Sequence, residues 1–101
     1  MVVGILRMRL FIRGSRSLKD KRQVLRKIKD KVSHHFPVAI AEVADNDDWK
    51  SAVLGVTTVG NDSPFVQSVL DQVGRTIEGL YLAEILAKDT IVRTFSDEEF
   101  R

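Results

Sequence analysis

Lys19, Arg22, Arg26 and Lys29 are spaced by three and four residues, so on a helix they form one cationic stripe. Arg13 and Arg16 lead into it. Such a row suits phosphates: each phosphate neutralised releases counterions, and binding of this type weakens steeply with salt. The plain alternative is a solvated helix face. Seven cations and two acids lie between Ser17 and His35, too few carboxylates for intrahelical pairing. That imbalance favours nucleic-acid contact through Arg13, Arg16, Lys19, Arg22, Arg26 and Lys29.

The stripe belongs to a wider asymmetry. Residues 1–36 hold eleven basic and two acidic residues, leaving five and twelve for residues 37–101, so +9 faces −7 within a chain of net charge +2. A dense cationic segment attracts polyanions, and the acidic remainder limits indiscriminate adhesion.

Other residue clusters carry less. The turn Gly14-Ser15-Arg16-Ser17 stands at a helix start, where free N–H groups and the helix dipole attract a phosphate or sulfate. Against that, Ser17 as N-cap satisfies one donor itself, and the spacing is not that of a Walker A loop. Arg7, Arg9 and Phe11 on one strand resemble the sheet faces that read RNA. The strand that would carry the main aromatics, Lys50 to Gly60, has none. Asp45, Asp47 and Asp48 lack the glycine and distal glutamate of a calcium loop. His34 and His35 are adjacent, about 100° apart on a helix, and make a poor metal pair. Trp49 begins a strand beside a charged loop and is read as partly buried, with an interface anchor as the alternative. Nothing calls for a cofactor or a metal. No nucleophile–base pair stands at a supporting spacing, and the chain is expected not to be an enzyme. There is no cysteine, which excludes disulfides and thiol catalysis and fits a reducing cytoplasm.

The elements that must position these residues are legible from periodicity. Val2 to Ile12 alternates as a strand. Arg7 and Arg9 break its apolar run, which is too short for a membrane span and lacks the order of a signal peptide. Ser17, with Asp20 three residues on, opens a helix in the manner of a capping box. Leu18, Leu25, Ile28 and Val32 form its apolar stripe, and it ends near His34 or His35 because Pro37 disfavours helical geometry at Phe36. Val38 to Val43 is a short strand, and Lys50 to Gly60 a longer one. Ser63 is expected to cap a second helix, with Pro64 at the first helical position. Val66, Val69, Leu70, Val73 and Ile77 give that helix its buried face. Gly79 ends it. Ala83 to Phe95 is the last strand, expected to bend near Lys88-Asp89.

The order β-α-β-β-α-β, with two right-handed crossovers, implies an α+β ferredoxin-like sandwich. Two helices lie on one face of a four-stranded antiparallel sheet. Residues 1–95 form a single domain, and residues 96–101 a polar, frayed C-terminal tail. The sheet's other face is left uncovered. If Ala39, Ala41 and Val43 face the helices, then Val38, Ile40 and Glu42 join Arg7, Arg9 and Phe11 on the open side as interface residues. A homodimer is expected there, because large aliphatics on both faces of the third strand are costly to leave in water. Glu42 is the expected partner for Arg7 and Arg9.

Several stretches together resemble the YlxP-like family of small bacterial proteins of unknown function. They are Ser17-Leu18-Lys19-Asp20-Lys21-Arg22, Ala41-Glu42-Val43, Trp49, Ala52-Val53-Leu54-Gly55-Val56 and Val59-Gly60-Asn61-Asp62. The likeness runs from Met1 to about Val92. It implies a ferredoxin-like fold and a bacterial cytoplasmic protein. It also implies work near translation initiation and maturation of the small ribosomal subunit or its RNA. It brings no catalytic residues. The ferredoxin-like fold also hosts acylphosphatases, with Arg13 or Arg16 and Asn61 as imaginable phosphate and water ligands, but their glycine-rich signature is absent. The leading expectation is therefore a non-enzymatic RNA- or ribosome-associated module. The alternative is a homodimeric protein-interaction module with no nucleic-acid role.

Overall fold

The computed structural model describes residues 1–100. Its elements are β1 (Val2–Phe11), α1 (Leu18–His35), β2 (Ala39–Ala44), β3 (Ser51–Gly60), α2 (Ser63–Gly79) and β4 (Glu84–Thr94), followed by a 3-10 turn over Asp97–Phe100. The four strands form one antiparallel sheet in the order β2-β3-β1-β4, so β1 and β3 are central. This is the ferredoxin-like arrangement, with both helices on one face.

Alternation in β1 decides what the sheet buries. Leu6, Met8, Leu10 and Ile12 point to the helices and are buried with Leu54 and Val56 of β3, Leu25, Ile28 and Val32 of α1, and Leu70, Val73 and Ile77 of α2. Gly4 belongs to the same row. A Cβ there would lie 2.5 Å from Val66 Cγ1 and 2.7 Å from Leu70 Cδ1, so α2 approaches the sheet closely only because residue 4 has no side chain. The odd residues of β1, including Ile5, Arg7, Arg9 and Phe11, lie on the helix-free face.

Helix α1 begins as the sequence indicates. Ser17 Oγ accepts from the Asp20 N–H at 3.0 Å, and the Asp20 carboxylate reaches back to the Arg16 N–H at 3.0 Å. It ends at Phe36, which is extended before Pro37 as pre-proline sterics require. Helix α2 differs by one residue from expectation. Asp62, not Ser63, is the cap: its Oδ2 accepts from the Phe65 N–H at 3.1 Å. A carboxylate answers the positive end of a helix better than a hydroxyl does. Pro64 loses nothing in the first turn, where its missing donor has no partner to serve.

Strand β4 is not broken at Lys88-Asp89. Its irregularity is at Leu86, the extra residue between Ile85, opposite Leu10, and Ala87, opposite Arg9. Lys88 keeps its place opposite Met8 and reaches over Gly74 to Glu78, Nζ to Oε1 3.3 Å. The Ser96 N–H donates to Glu99 Oε2 at 2.9 Å, which closes a local turn in the tail. The part of the frayed-tail expectation on residue 101 lies outside the described residues.

The register of β2 is the reverse of the one entertained above. Ile40 is paired with Val56 and Glu42 with Leu54, so both face the helices, and Val38 packs against the core as well. Val38, Ile40 and Glu42 are therefore not open-face residues. Ala39, Ala41 and Val43 occupy that side, with Val43 the extra residue of a bulge between Glu42 and Ala44. Burial of the larger aliphatics decides the register: Val38 and Ile40 take the core side, and the alanines are left in water.

Candidate nucleic-acid interface

The cationic stripe is where the spacing places it. Arg16, Lys19, Arg22 and Arg26 are exposed and Lys29 is half-buried. Among the described residues, none of the side-chain cations of Arg16, Lys19, Arg22, Arg26, Lys27, Lys29 or Lys31 has a carboxylate within 4.0 Å. Arg13 stands apart. Its guanidinium reaches Glu84 Oε2 at 3.3 Å and lies 5.8 Å from the centroid of the Phe11 ring, so it leans toward β4. Arg22, Arg26 and Lys29 converge with Leu25 on a cleft of about 340 Å³ between α1 and the free edge of β2. Glu42 forms its far wall.

The residue that shapes this cleft was hidden among the cations. Lys21 lies three residues after Leu18 and four before Leu25, inside the apolar stripe, and that spacing is the signal that sets it apart from its neighbours. Its side chain is 1% exposed and pairs with Glu42 Oε2 at 2.8 Å, where the Glu42 side chain is 17% exposed. Nζ also donates to the carbonyls of Asp45 at 2.8 Å and Ser51 at 3.0 Å, with Asn46 O farther at 3.4 Å. The ammonium is the sole partner of that buried Glu42 oxygen. A charge so buried is tolerable only when paired and hydrogen-bonded. Lys21 thereby ties the first turn of α1 to both ends of the β2–β3 loop and neutralises the one carboxylate facing the cleft.

The loop is closed from several sides. Asp45 has φ 61°, a left-handed conformation that Asp tolerates better than most residues. Its carbonyl accepts from the Asp48 N–H at 3.0 Å as well as from Lys21, and its carboxylate pairs with Arg9 Nη1 at 3.1 Å. The Arg9 partner is thus Asp45, not Glu42. Arg9 and Ala44 flank Val53 in the register, so the Arg9–Asp45 pair reaches across β3 at Val53, which is fully buried although it faces away from the helices. Asp48 Oδ1 accepts from the N–H groups of Lys50 at 2.9 Å and Ser51 at 3.1 Å, and these bonds hold its carboxyl below the usual carboxylate range. Trp49 stands half exposed at the loop's end.

The Gly14–Ser17 turn is occupied from within. Ser15 is buried and donates through Oγ to the Ser17 carbonyl at 3.1 Å, and Asp20 takes the Arg16 and Ser17 capping bonds already described. The Asp20 carboxylate sits where an outside anion would bind, which weighs against an anion site there. His34 Nδ1 donates to the Asp30 carbonyl at 2.8 Å within its own helix. Among the described residues no helix is long and apolar enough to cross a membrane.

The fold and this site define a ferredoxin-like α+β domain with one cationic helix and a bare sheet face. The chain belongs to the family described as Protein of unknown function (DUF503), whose model matches residues 3–90. The uncharacterized protein YlxP of Bacillus subtilis (strain 168) is 29% identical over 72 residues, 71% of this chain and 78% of that protein. Among solved structures, a de novo designed protein with ferredoxin fold, LFR1 1, aligns with TM-score 0.54 and 16% identity, covering 94% of this chain and 87% of the design. A second design, Foldit4, aligns with TM-score 0.51 and 14% identity over 94% of this chain and 98% of its own. At these identities the designs speak for the fold alone.

Proposed function

We propose that this protein is a non-enzymatic RNA-associated module that holds a phosphate backbone along the outward side of α1. The observation that supports this reading most is the set of seven cations from Arg16 to Lys31 without an acidic partner, beside a cleft whose one carboxylate is neutralised by Lys21. Unpaired cations at this density leave the outward side of α1 strongly positive, a potential that draws a polyanion. In this reading the setting is a bacterial cytoplasm and the RNA that of the small ribosomal subunit, as the resemblance in the sequence suggests.

Fluorescence anisotropy with a structured RNA, repeated over a salt series, tests the reading. Five phosphate contacts through Arg16, Lys19, Arg22, Arg26 and Lys29, with Arg13 held aside by Glu84, predict an affinity loss of about 500-fold between about 50 and 200 mM salt. Replacing Arg22, Arg26 and Lys29 together with Glu lowers the salt slope by about three, since each lost contact removes about one. No binding at low salt, or a flat salt response, refutes the proposal. Normal binding by the triple variant removes α1 as the surface.

A further inference from the structure

The helix-free sheet face carries a second surface, independent of the RNA reading. On its β1–β4 half stand Ile5, 45% exposed, and Ile91, 52% exposed. On its β2–β3 half Ala39, Ala41, Val43, Gly55 and Thr57 line an apolar hollow, bordered by Ile5 on the β1 side, with Val59 exposed beyond it. Contiguous apolar surface of this kind on a folded domain marks an interaction site. One half of the face is thus a ridge and the other a recess, and the register relates them. Ile5 is paired with both Thr57 and Ile91, and Thr57 with Ala39, so Ile91, Ile5, Thr57 and Ala39 lie at one level across the sheet. One residue pair further along, Asp89, Arg7, Gly55 and Ala41 form the next level on this face.

We infer that this face binds a second copy of the chain about a two-fold axis that runs parallel to the strands between β1 and β3. Such an axis preserves position along the strands and exchanges the two halves of the face. It places β4 of one copy over β2 of the other and β1 over β3. Ile91 then enters the hollow at Ala39, Ile5 lies over Thr57, and Arg7 lies over Gly55, where its stem meets the Val43 side chain that covers that glycine. Each contact occurs twice, as an isologous interface requires. Charge is compatible with a like surface, because Arg7 and Asp89 are cross-strand neighbours of opposite sign. The area is sufficient. Three strands of ten or eleven residues and the six-residue β2 present a face of about 600 Å². Two such faces bury about 1,200 Å², at the lower end of the range of about 1,200–2,000 Å² for stable pairs. Both helices stay on the outside of the pair, so the cationic cleft remains open in each copy.

Analytical ultracentrifugation of the full chain tests the arrangement. The wild type sediments as a dimer, and does so in high salt as well, since the contact is apolar. Ile91→Lys and Ala39→Glu each sediment as monomers, because each places a charge in the partner's apolar contact. Mixed in equal amounts, the two variants associate. In the mixed pair one contact joins the new ammonium to the new carboxylate and the other keeps Ile91 on Ala39. Both positions are exposed, so folding is retained, and circular dichroism checks it. Should Ile91→Lys fail to fold, Ile5→Lys with Thr57→Glu makes the same test one strand inward. A wild type that stays monomeric at high micromolar concentration overturns the inference. So does a dimer indifferent to Ile91→Lys, or a mixture that associates no better than its components.

Discussion

Replacing Lys21 with Met removes the ammonium and keeps most of the aliphatic stem. It leaves a Glu42 oxygen without its partner, and it takes one donor each from the carbonyls of Asp45 and Ser51. Asp45 O retains the Asp48 N–H, so the uncompensated carboxylate dominates the cost. Breaking one side of a buried ion pair costs about 3–5 kcal/mol. Glu42 keeps some contact with solvent, so the lower end applies, about 3 kcal/mol. For a domain whose whole stability is about 5–15 kcal/mol, that is a large share. Near the melting temperature it corresponds to a fall of about 12–24 °C. The pairing logic also makes a sharper statement. Lys21→Met combined with Glu42→Leu removes both charges and fills the space with apolar groups, and such replacements are close to neutral. The double variant should recover about 2 kcal/mol of the lost stability, and Glu42→Leu alone completes the cycle that gives the coupling. Urea denaturation followed by circular dichroism, at low and high salt, measures all four species. The loss should persist in high salt, because buried pairs are poorly screened. A loss below about 1 kcal/mol, or a double variant no more stable than Lys21→Met, would refute the argument that the stranded charge of Glu42 sets the cost.

Gly4→Ala forces a methyl against Val66 and Leu70 and should cost about 1–3 kcal/mol by overpacking, read from the denaturation midpoint. Asp62→Ala should cost about 1 kcal/mol through loss of the α2 cap, whereas Ser63→Ala should cost almost nothing; the reverse ranking in thermal melts would make Ser63 the cap. Asp48 has a folded-state pKa below its unfolded value, so its contribution is complete above the usual carboxylate range and is lost as pH falls through the folded value. Asp48→Asn should therefore flatten the acid limb of a stability–pH curve and leave its slope above pH ~6 unchanged. An acid limb identical to the wild type's would show that the bonds to Lys50 and Ser51 do not favour the charged form.

The sequence by itself determined the element order, the antiparallel sandwich and the position of the cationic stripe. These follow from local periodicity. Val66, Val69, Leu70, Val73 and Ile77 have one helical solution for burial, and the even residues of β1 have one strand solution. Pro37 ends α1 whatever packs against it. The spacing of Arg22, Arg26 and Lys29 likewise puts them on one side of a helix before any tertiary contact exists. What only the tertiary structure decided is which partner each polar group finds. Lys21 and Arg22 are adjacent cations, and composition treats them alike. The first is buried because the β2–β3 loop brings Glu42 and the Asp45 and Ser51 carbonyls to meet it, a convergence spread over some thirty residues of chain. The register of β2 is of the same kind. Six residues of alternating small and medium side chains fit either way round, and the choice falls to long-range terms: burial of Val38 and Ile40 under α1, the Lys21–Glu42 pair and the bulge at Val43. The α2 cap shows the limit at short range, since Asp62 and Ser63 are both good caps and the one that the fold leaves extended before the helix is Asp62. Periodicity states which face an element buries; it does not state what lies across from it, because that depends on packing between segments distant in the chain.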